Sequence, residues 1–350
     1  MVSGRNPSYA GATGTGIAYD TRGSGRPDLL LIPDGFLPMA SFERLPQYVR
    51  FLSDIAALGR LITFDRRGIG ASVGVGDSDP WQLSDWADDA AETLDAVGSP
   101  DAVVVALAEG AITAVALAAR HPARVAALVL LNATPGPTLG PLARRGEGLR
   151  YIDFLRSTLG NEWIADPPGQ EILAPSLGRD PRFSVWLTEA FRLAGDPSRF
   201  LPAFDLALRS DVRSYIAQVR TPTLVIHRRD NRWFSADHGR VLARAIEDAR
   251  YLELPGADHA PYTGETSQML DAVRWFLAGL DVESARTSLT SRQAQMLELV
   301  RAGLTDREIA ARTGLSPRTV QKHLQLAYRK LGVKNRTAAV TSPGRSWTAN

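Results

Sequence analysis

Residues whose types and spacing could do chemistry fall in two places. The first is Val103–Pro122, VVVALAEGAITAVALAARHP. A β-branched run stops at the tight Ala106-Leu107-Ala108-Glu109-Gly110 turn, and an alanine-rich helix follows, ending near His121-Pro122. Strand, sharp turn and helix in that order lift one side chain to the top of a sheet, where a hydroxyl would become an exposed nucleophile. Counting back from the helix end puts that position at Ala108, whose methyl group can attack nothing. The second place lies near the C-terminus. Arg318, Gln321, Lys322, Gln325 and Arg329 form a basic, amide-bearing helix face offset from an apolar stripe of Val320, Leu324, Ala327 and Leu331. Such a face is what hydrogen bonding to base edges in a DNA groove requires.

These two stretches need different scaffolds, and the totals provide for both. A chain of 350 residues with 44% hydrophobic and 22% charged residues fits one large domain plus a small one, each with a core. The formal charge of +2 is unevenly spread: from Asp281 onward there are twelve Arg/Lys against five Asp/Glu, and all three lysines (Lys322, Lys330, Lys334) lie there. An acidic body with a basic tail points to a polyanionic partner for the tail alone. The absence of cysteine excludes disulfides, thiolate metal sites and a cysteine nucleophile. Neither a metal nor a cofactor is expected. No leader-like apolar segment or membrane-length run is present, so a cytoplasmic protein without membrane contact is expected.

In chain order, Gly16–Tyr19 reads as an edge strand and Leu29–Ile32 as a strand buried on both faces. A helix over Pro46–Leu58 leads to a strand at Arg60–Phe64; Trp81–Val97 is amphipathic, with Ser84 as a helix cap. After the turn at Ala108 come strands at Val125–Leu131, Thr223–His227 and Arg250–Leu254. Helices over Ala236–Ile246 and Glu265–Leu280 complete the pattern. The alternation predicts an α/β domain: a mostly parallel sheet wrapped by helices. Between Thr134 and Val219 the sheet pattern stops, and Tyr151, Phe154, Trp163, Phe183, Trp186, Phe191, Phe200 and Phe204 fall among Pro/Gly breaks, as in several short helices.

Three motifs carry a family resemblance. They are the turn of Asp65, Arg67, Gly68, Gly70 and Ser72, the Arg120-His121-Pro122 after the elbow helix, and Pro255-Gly256-Ala257-Asp258-His259. With the elbow, they make the chain from about Thr13 to Leu280 resemble the α/β-hydrolase fold family. The resemblance implies a domain over residues 1–280 with a helical cap at about 135–218. It also implies roles: nucleophile at Ala108, base at His259 and acid at Asn231, with Asp230 one residue early as the alternative acid. Backbone donors of Glu109 and of the Gly35-Phe36 loop would form the oxyanion hole. Alanine and an amide at two of three triad positions leave no catalytic residues, and losing the nucleophile alone typically costs on the order of a million-fold. The expected use of the site is therefore to bind a largely apolar small molecule bearing a carbonyl or carboxylate. Gly35, Phe36, Ala108, Glu109, Asn231, Trp233, His259 and cap aromatics would hold it. The alternative is an active or mutationally trapped ester or lactone hydrolase.

After a polar linker at 281–288 the grammar changes to short capped helices. Thr290 with Gln293 and Thr305 with Glu308 read as capping boxes, Ser316-Pro317 as a cap followed by proline at the first helical position, and Gly303, Gly314 and Gly332 as helix ends. The pair joined through Thr313-Gly314-Leu315 is a helix-turn-helix. Leu-Thr-x-Arg, Gly-Leu-Thr-x-x-Glu-Ile-Ala and Leu-Ser-x-Arg-Thr-Val-x-x-His make this part, residues 289–342, resemble the LuxR-type (NarL/FixJ-type) DNA-binding domain. By position, Gln321, Lys322 and Gln325 would face bases, while Arg318, Thr319 and His323 would serve phosphates or positioning. The last helix, about Asn335–Val340, would join two copies, so a homodimer on double-stranded DNA with two half-sites is expected. Together the readings predict a ligand-responsive transcription regulator rather than an enzyme.

Overall fold

The computed structural model describes residues 7–10, 16–35, 37–72, 81–136, 170–195, 203, 206–207, 210–287, 291–330 and 335–341. The chain divides into two compact units, Met1–Val273 and Arg274–Asn350.

The first unit is built on an eight-stranded sheet: β1 (Ser8–Ala10), β2 (Ile17–Arg22), β3 (Asp28–Ile32), β4 (Arg60–Phe64), β5 (Ala102–Leu107), β6 (Val125–Leu131), β7 (Thr223–Arg228) and β8 (Arg250–Leu254). Their spatial order is β1-β2-β4-β3-β5-β6-β7-β8. β2 runs antiparallel to β1 and β4, and every pair from β4 to β8 is parallel. β3 and β5 are wholly buried, as continuous apolar runs in the middle of a helix-covered parallel sheet must be. Gly16–Tyr19, read as an edge strand, is second in the sheet; Ser8–Ala10 takes the edge by pairing outside it. A three-residue strand has too little period to announce itself in sequence.

The order β4-β3-β5 places a topological switch between β3 and β5, where chain connections leave in opposite directions. Ligands of open α/β sheets bind outside the carboxyl ends of the strands at such a point. The loops that leave β3 and β5 there carry Asp34-Gly35 and Ala108-Glu109.

Helix Leu83–Ala96 starts from Gln82, not from Ser84. Asp85 reaches back to accept from the Gln82 N–H at 2.8 Å and closes the first turn, which leaves Ser84 inside the helix. The Asp65–Ser72 turn is structural: the Asp65 carboxylate accepts from the backbone N–H groups of Met39 (2.7 Å) and Ala71 (2.8 Å). Ser72 Oγ donates to the Asp65 carbonyl and accepts from Ala18 N–H. Of the stretch between Thr134 and Val219, helices Gln170–Leu173, Pro181–Ala194 and Arg213–Ile216 are described. Phe183, Trp186 and Phe191 are buried on the second of them. Tyr151, Phe154, Trp163, Phe200 and Phe204 lie outside the described residues. The closing helix runs Ser267–Thr287, past the expected end at Leu280. Residues 281–287 contain no Gly or Pro to stop it.

The second unit holds helices Ser291–Arg301, Asp306–Thr313, Pro317–Lys330 and Arg336–Thr341. Met296, Leu297, Val300, Ile309, Val320, Leu324, Ala327 and Ala339 form its core. Thr305 and Glu308 make the expected capping box, and Gly314 closes the helix in the left-handed region at φ 68°. Ser316 caps the next helix, accepting from Thr319 N–H at 3.1 Å. Thr290, Leu331 and Gly332 lie outside the described residues.

Candidate ligand site and nucleic-acid interface

Ala108 has φ 49°, a conformation that costs an L-residue about 1–2 kcal/mol. Neighbours hold it there. Ala108 N–H donates to the Leu131 carbonyl at 2.9 Å, and the elbow helix, Gly110–Arg120, starts two residues on. Gly110 admits no side chain: a Cβ would sit 2.7 Å from the Ile32 carbonyl oxygen and 2.9 Å from that of Pro33. The β3 loop therefore lies directly on the elbow, and a Cβ at Gly35 would stand 3.5 Å from Glu109 Oε1. The strained geometry that aims a nucleophile is complete, with a methyl group at its tip. Phe36 lies outside the described residues.

His259 lies in the loop after β8 and is buried. Its position is set by backbone: His259 and Ala260 N–H groups both donate to the Leu173 carbonyl, at 2.8 and 3.1 Å, from the cap region. Asn132, just past β6 with φ 48°, donates through Nδ2 to the carbonyls of Asp258 (3.1 Å) and His259 (2.7 Å), while its Oδ1 accepts from Arg228 N–H. The buried Arg228 guanidinium donates to the carbonyls of Asp258, Ala260, Thr263 and Glu265, at 2.6 to 3.2 Å. Asp258 Oδ1 accepts from Ser176 N–H. Asn132 and Arg228 belong to no motif legible in the sequence, and Asp258 only to the 255–259 motif, without a role of its own. The available signal was a charged residue closing an otherwise apolar strand at Arg228, which burial would force to find several acceptors.

The acid position is Asn231, buried beside the imidazole with Nδ2 3.2 Å from His259 Nδ1. Asp230 is exposed and does not replace it. Which end of the amide faces the ring follows from the other end: Asn231 Oδ1 accepts from the backbone N–H groups of Trp233 (3.0 Å) and Phe234 (3.3 Å). The NH₂ therefore faces Nδ1, which must accept, and the proton of a neutral ring resides on Nε2. Neutral it is: burial, reinforced by His227, His238 and Arg228, holds His259 well below the ordinary histidine range. Trp233 stacks on the ring at 5.6 Å and Phe234 meets it edge-on at 5.0 Å. A hydrolase base needs the opposite polarity, with Nδ1–H facing the acid and a bare Nε2 facing the nucleophile.

A second polar group sits at the β3 side. Asp34 is buried, with Oδ2 accepting from the Tyr262 hydroxyl at 3.1 Å. Burial first, then the negative charge of Glu109, pushes the Asp34 carboxyl up to about 7. The cap-region Trp186 meets the Tyr262 ring edge-on at 6.2 Å. The structure thus brings Gly35, Ala108 and Glu109 together at the elbow, and Asn231, Trp233 and His259 at the base position.

In the second unit Arg318, Gln321, Lys322 and Gln325 are exposed, His323 and Thr319 partly so, around the buried Val320 and Leu324. Thr319 Oγ1 lies 2.8 Å from Ser316 Oγ, so it serves the helix cap.

An α/β-hydrolase-type sheet with a nucleophile elbow, joined to a helix-turn-helix unit, is the class these elements define. Comparison with known proteins places the chain within it. Residues 29–274 match the alpha/beta hydrolase family model, and residues 287–342 match the model for bacterial regulatory proteins of the luxR family. The chain belongs to the alpha/beta hydrolase family and carries a C-terminal LuxR-type DNA-binding domain. Among curated relatives, "Putative carbamate hydrolase RutD" of Azorhizobium caulinodans is 28% identical over 72% of this chain and 91% of its own. "Probable transcriptional regulatory protein SgaR" of Hyphomicrobium methylovorum is 51% identical over 15% of this chain and 25% of its own. Among solved structures, a bromoperoxidase from Bacillus anthracis superposes with a TM-score of 0.64 at 20% identity, over 78% of this chain and 99% of that one. Among the described residues no helix is long and apolar enough to cross a membrane.

Proposed function

We propose that this protein is a transcription regulator whose hydrolase-fold unit holds a small molecule without cleaving it. The LuxR-type unit would bind operator DNA as a homodimer, and the ligand would bias that state. The observation that carries this reading is the Asn231–His259 pair. With Ala108 at the elbow there is no attacking atom, and with the proton on Nε2 there is no base to activate one. The same Nε2–H is a hydrogen-bond donor in a buried site, suited to a ligand carbonyl. Two buried carboxyl side chains, Asp34 and Glu109, make a carboxylate on the ligand the poorer fit at the β3 end.

The test has two arms. The purified full chain should show no turnover of p-nitrophenyl butyrate beyond buffer, and a metabolite library screened by thermal shift should contain compounds that raise its melting temperature. For such a compound, Ala108→Trp, with an unchanged circular dichroism spectrum, should abolish both the shift and the compound's effect on operator binding. Ester turnover by the unmodified chain would overturn the proposal, as would an effector response that survives Ala108→Trp.

A further inference from the structure

We infer that the β3 side of the site takes a cationic nitrogen, a protonated amine or amidine, held by Asp34 with the rings and hydroxyls of Tyr48 and Tyr262 around it. This rests on the reading of the hydrolase-fold unit as a receptor and names the chemistry of its ligand.

The cluster is acceptor-rich and incompletely paired. Asp34 is 5% exposed, and while Oδ2 accepts from Tyr262, Oδ1 has no side-chain hydrogen-bond partner among the described residues. The Tyr48 hydroxyl is fully buried and has no partner among the described residues either. The Tyr48 ring packs on Tyr262, whose hydroxyl donates to Asp34; burial, and after it the negative charge of Asp34, pushes both tyrosine hydroxyls above their ordinary range. Buried polar atoms are nearly always satisfied, so the buried Asp34 Oδ1 is the atom of this cluster suited to accept from a ligand N–H.

The walls favour positive charge. Tyr48 lies against Tyr262 with ring centroids 4.1 Å apart and stacks on Phe42 at 4.4 Å, while Trp186 closes on Tyr262 from the cap side. Aromatic faces around a carboxylate attract a desolvated ammonium both through the ring quadrupoles and through Coulomb's law. Glu109 adds a second negative group, its carboxylate set against the Gly35 backbone. Two cations lie near the cluster and each is engaged elsewhere. The Arg66 guanidinium donates to the Pro33 carbonyl and lies over the Trp86 ring, opposing the rise of the Asp34 carboxyl only weakly. Arg22, which acts on Tyr48, pairs with Glu43. An ammonium has three N–H donors and no acceptor, so it matches the Asp34 Oδ1, the Tyr48 oxygen and the Glu109 charge in a way that a carboxylate does not.

The test uses three matched probes on the full chain: 4-phenylbutylamine, 4-phenylbutanol and 4-phenylbutyrate, titrated calorimetrically at pH 7.5. The amine should bind at least tenfold more tightly than the acid, with the alcohol between. Asp34→Asn should reduce amine affinity at least tenfold and leave alcohol affinity within threefold, with melting curves confirming the fold. Equal or tighter binding of the acid would overturn the inference. So would amine affinity unchanged in Asp34→Asn, or no amine binding at 5 mM. If the acid binds and Ala108→Trp removes it, the receptor reading stands while the cation assignment fails. If no probe and no library compound binds, the receptor reading fails as well.

Discussion

Converting Asn231 to aspartate reverses the proton polarity of His259, and the consequence can be worked through. In Asn231→Asp one oxygen keeps the Trp233 and Phe234 N–H bonds, and the other takes the place of Nδ2, 3.2 Å from Nδ1. An acceptor there faces an acceptor until the imidazole proton moves to Nδ1. Once the ring is protonated, two unit charges at that distance attract by about 5 kcal/mol at an effective dielectric of ~20. Desolvation of both buried groups takes back part of this, leaving roughly 3 kcal/mol, or about two pKa units on His259. Long-range ¹H–¹⁵N correlation of histidine-labelled protein should find the neutral ring protonated on Nε2 in the unmodified chain and on Nδ1 in Asn231→Asp. Catalysis should follow the tautomer. Ala108→Ser alone should remain silent toward p-nitrophenyl butyrate, because an amide in place of the triad acid typically costs about 10⁴-fold. Ala108→Ser combined with Asn231→Asp should turn the ester over. Nδ1–H in the unmodified chain would refute the tautomer reasoning, and so would full turnover by Ala108→Ser alone.

Other predictions follow from the same geometry. Asp34 titrates at about 7 when folded against about 4 unfolded, so the folded state binds the extra proton and this group's stabilisation is lost as pH rises from about 4 to 7. Asp34→Asn should therefore raise stability at pH 8 relative to pH 5, by about 2–3 kcal/mol, as read by urea melts at the two pH values. Arg228→Met removes one donor from each of four backbone carbonyls and the buried charge opposite the Asp258 carboxylate, and should cost about 3–5 kcal/mol; a melting temperature within a degree of the parent would refute the clamp. Thr305→Ala removes the capping box and should lower the stability of the DNA-binding unit by about 1 kcal/mol in chemical melts. Lys322→Gln should weaken operator binding more than non-operator binding, as its base-facing position implies; an equal loss on both, with the salt slope reduced by about 1, would refute that assignment and place it on a phosphate.

How much was legible in the sequence follows from the range of the forces involved. The apolar runs at 102–107 and 125–131, the alanine-rich elbow helix and the Thr305–Glu308 box are set by local sterics and near-neighbour hydrogen bonds, so residue order alone placed them. So too the Ala108 position, because a strand, one strained residue and a helix form a local unit. The exposed face of Arg318, Gln321, Lys322 and Gln325 was legible because helical periodicity alone separates it from Val320 and Leu324. What sequence did not reveal is where side chains distant in the chain converge. Asp34 meets Tyr262 across 228 positions, and Asn132 meets His259 across 127. The exchange of a carboxylate for an amide at Asn231 was readable as a loss of charge. That the amide points its NH₂ at the ring, and so settles which nitrogen holds the proton, was decided only by two backbone N–H groups that the fold brings to Oδ1.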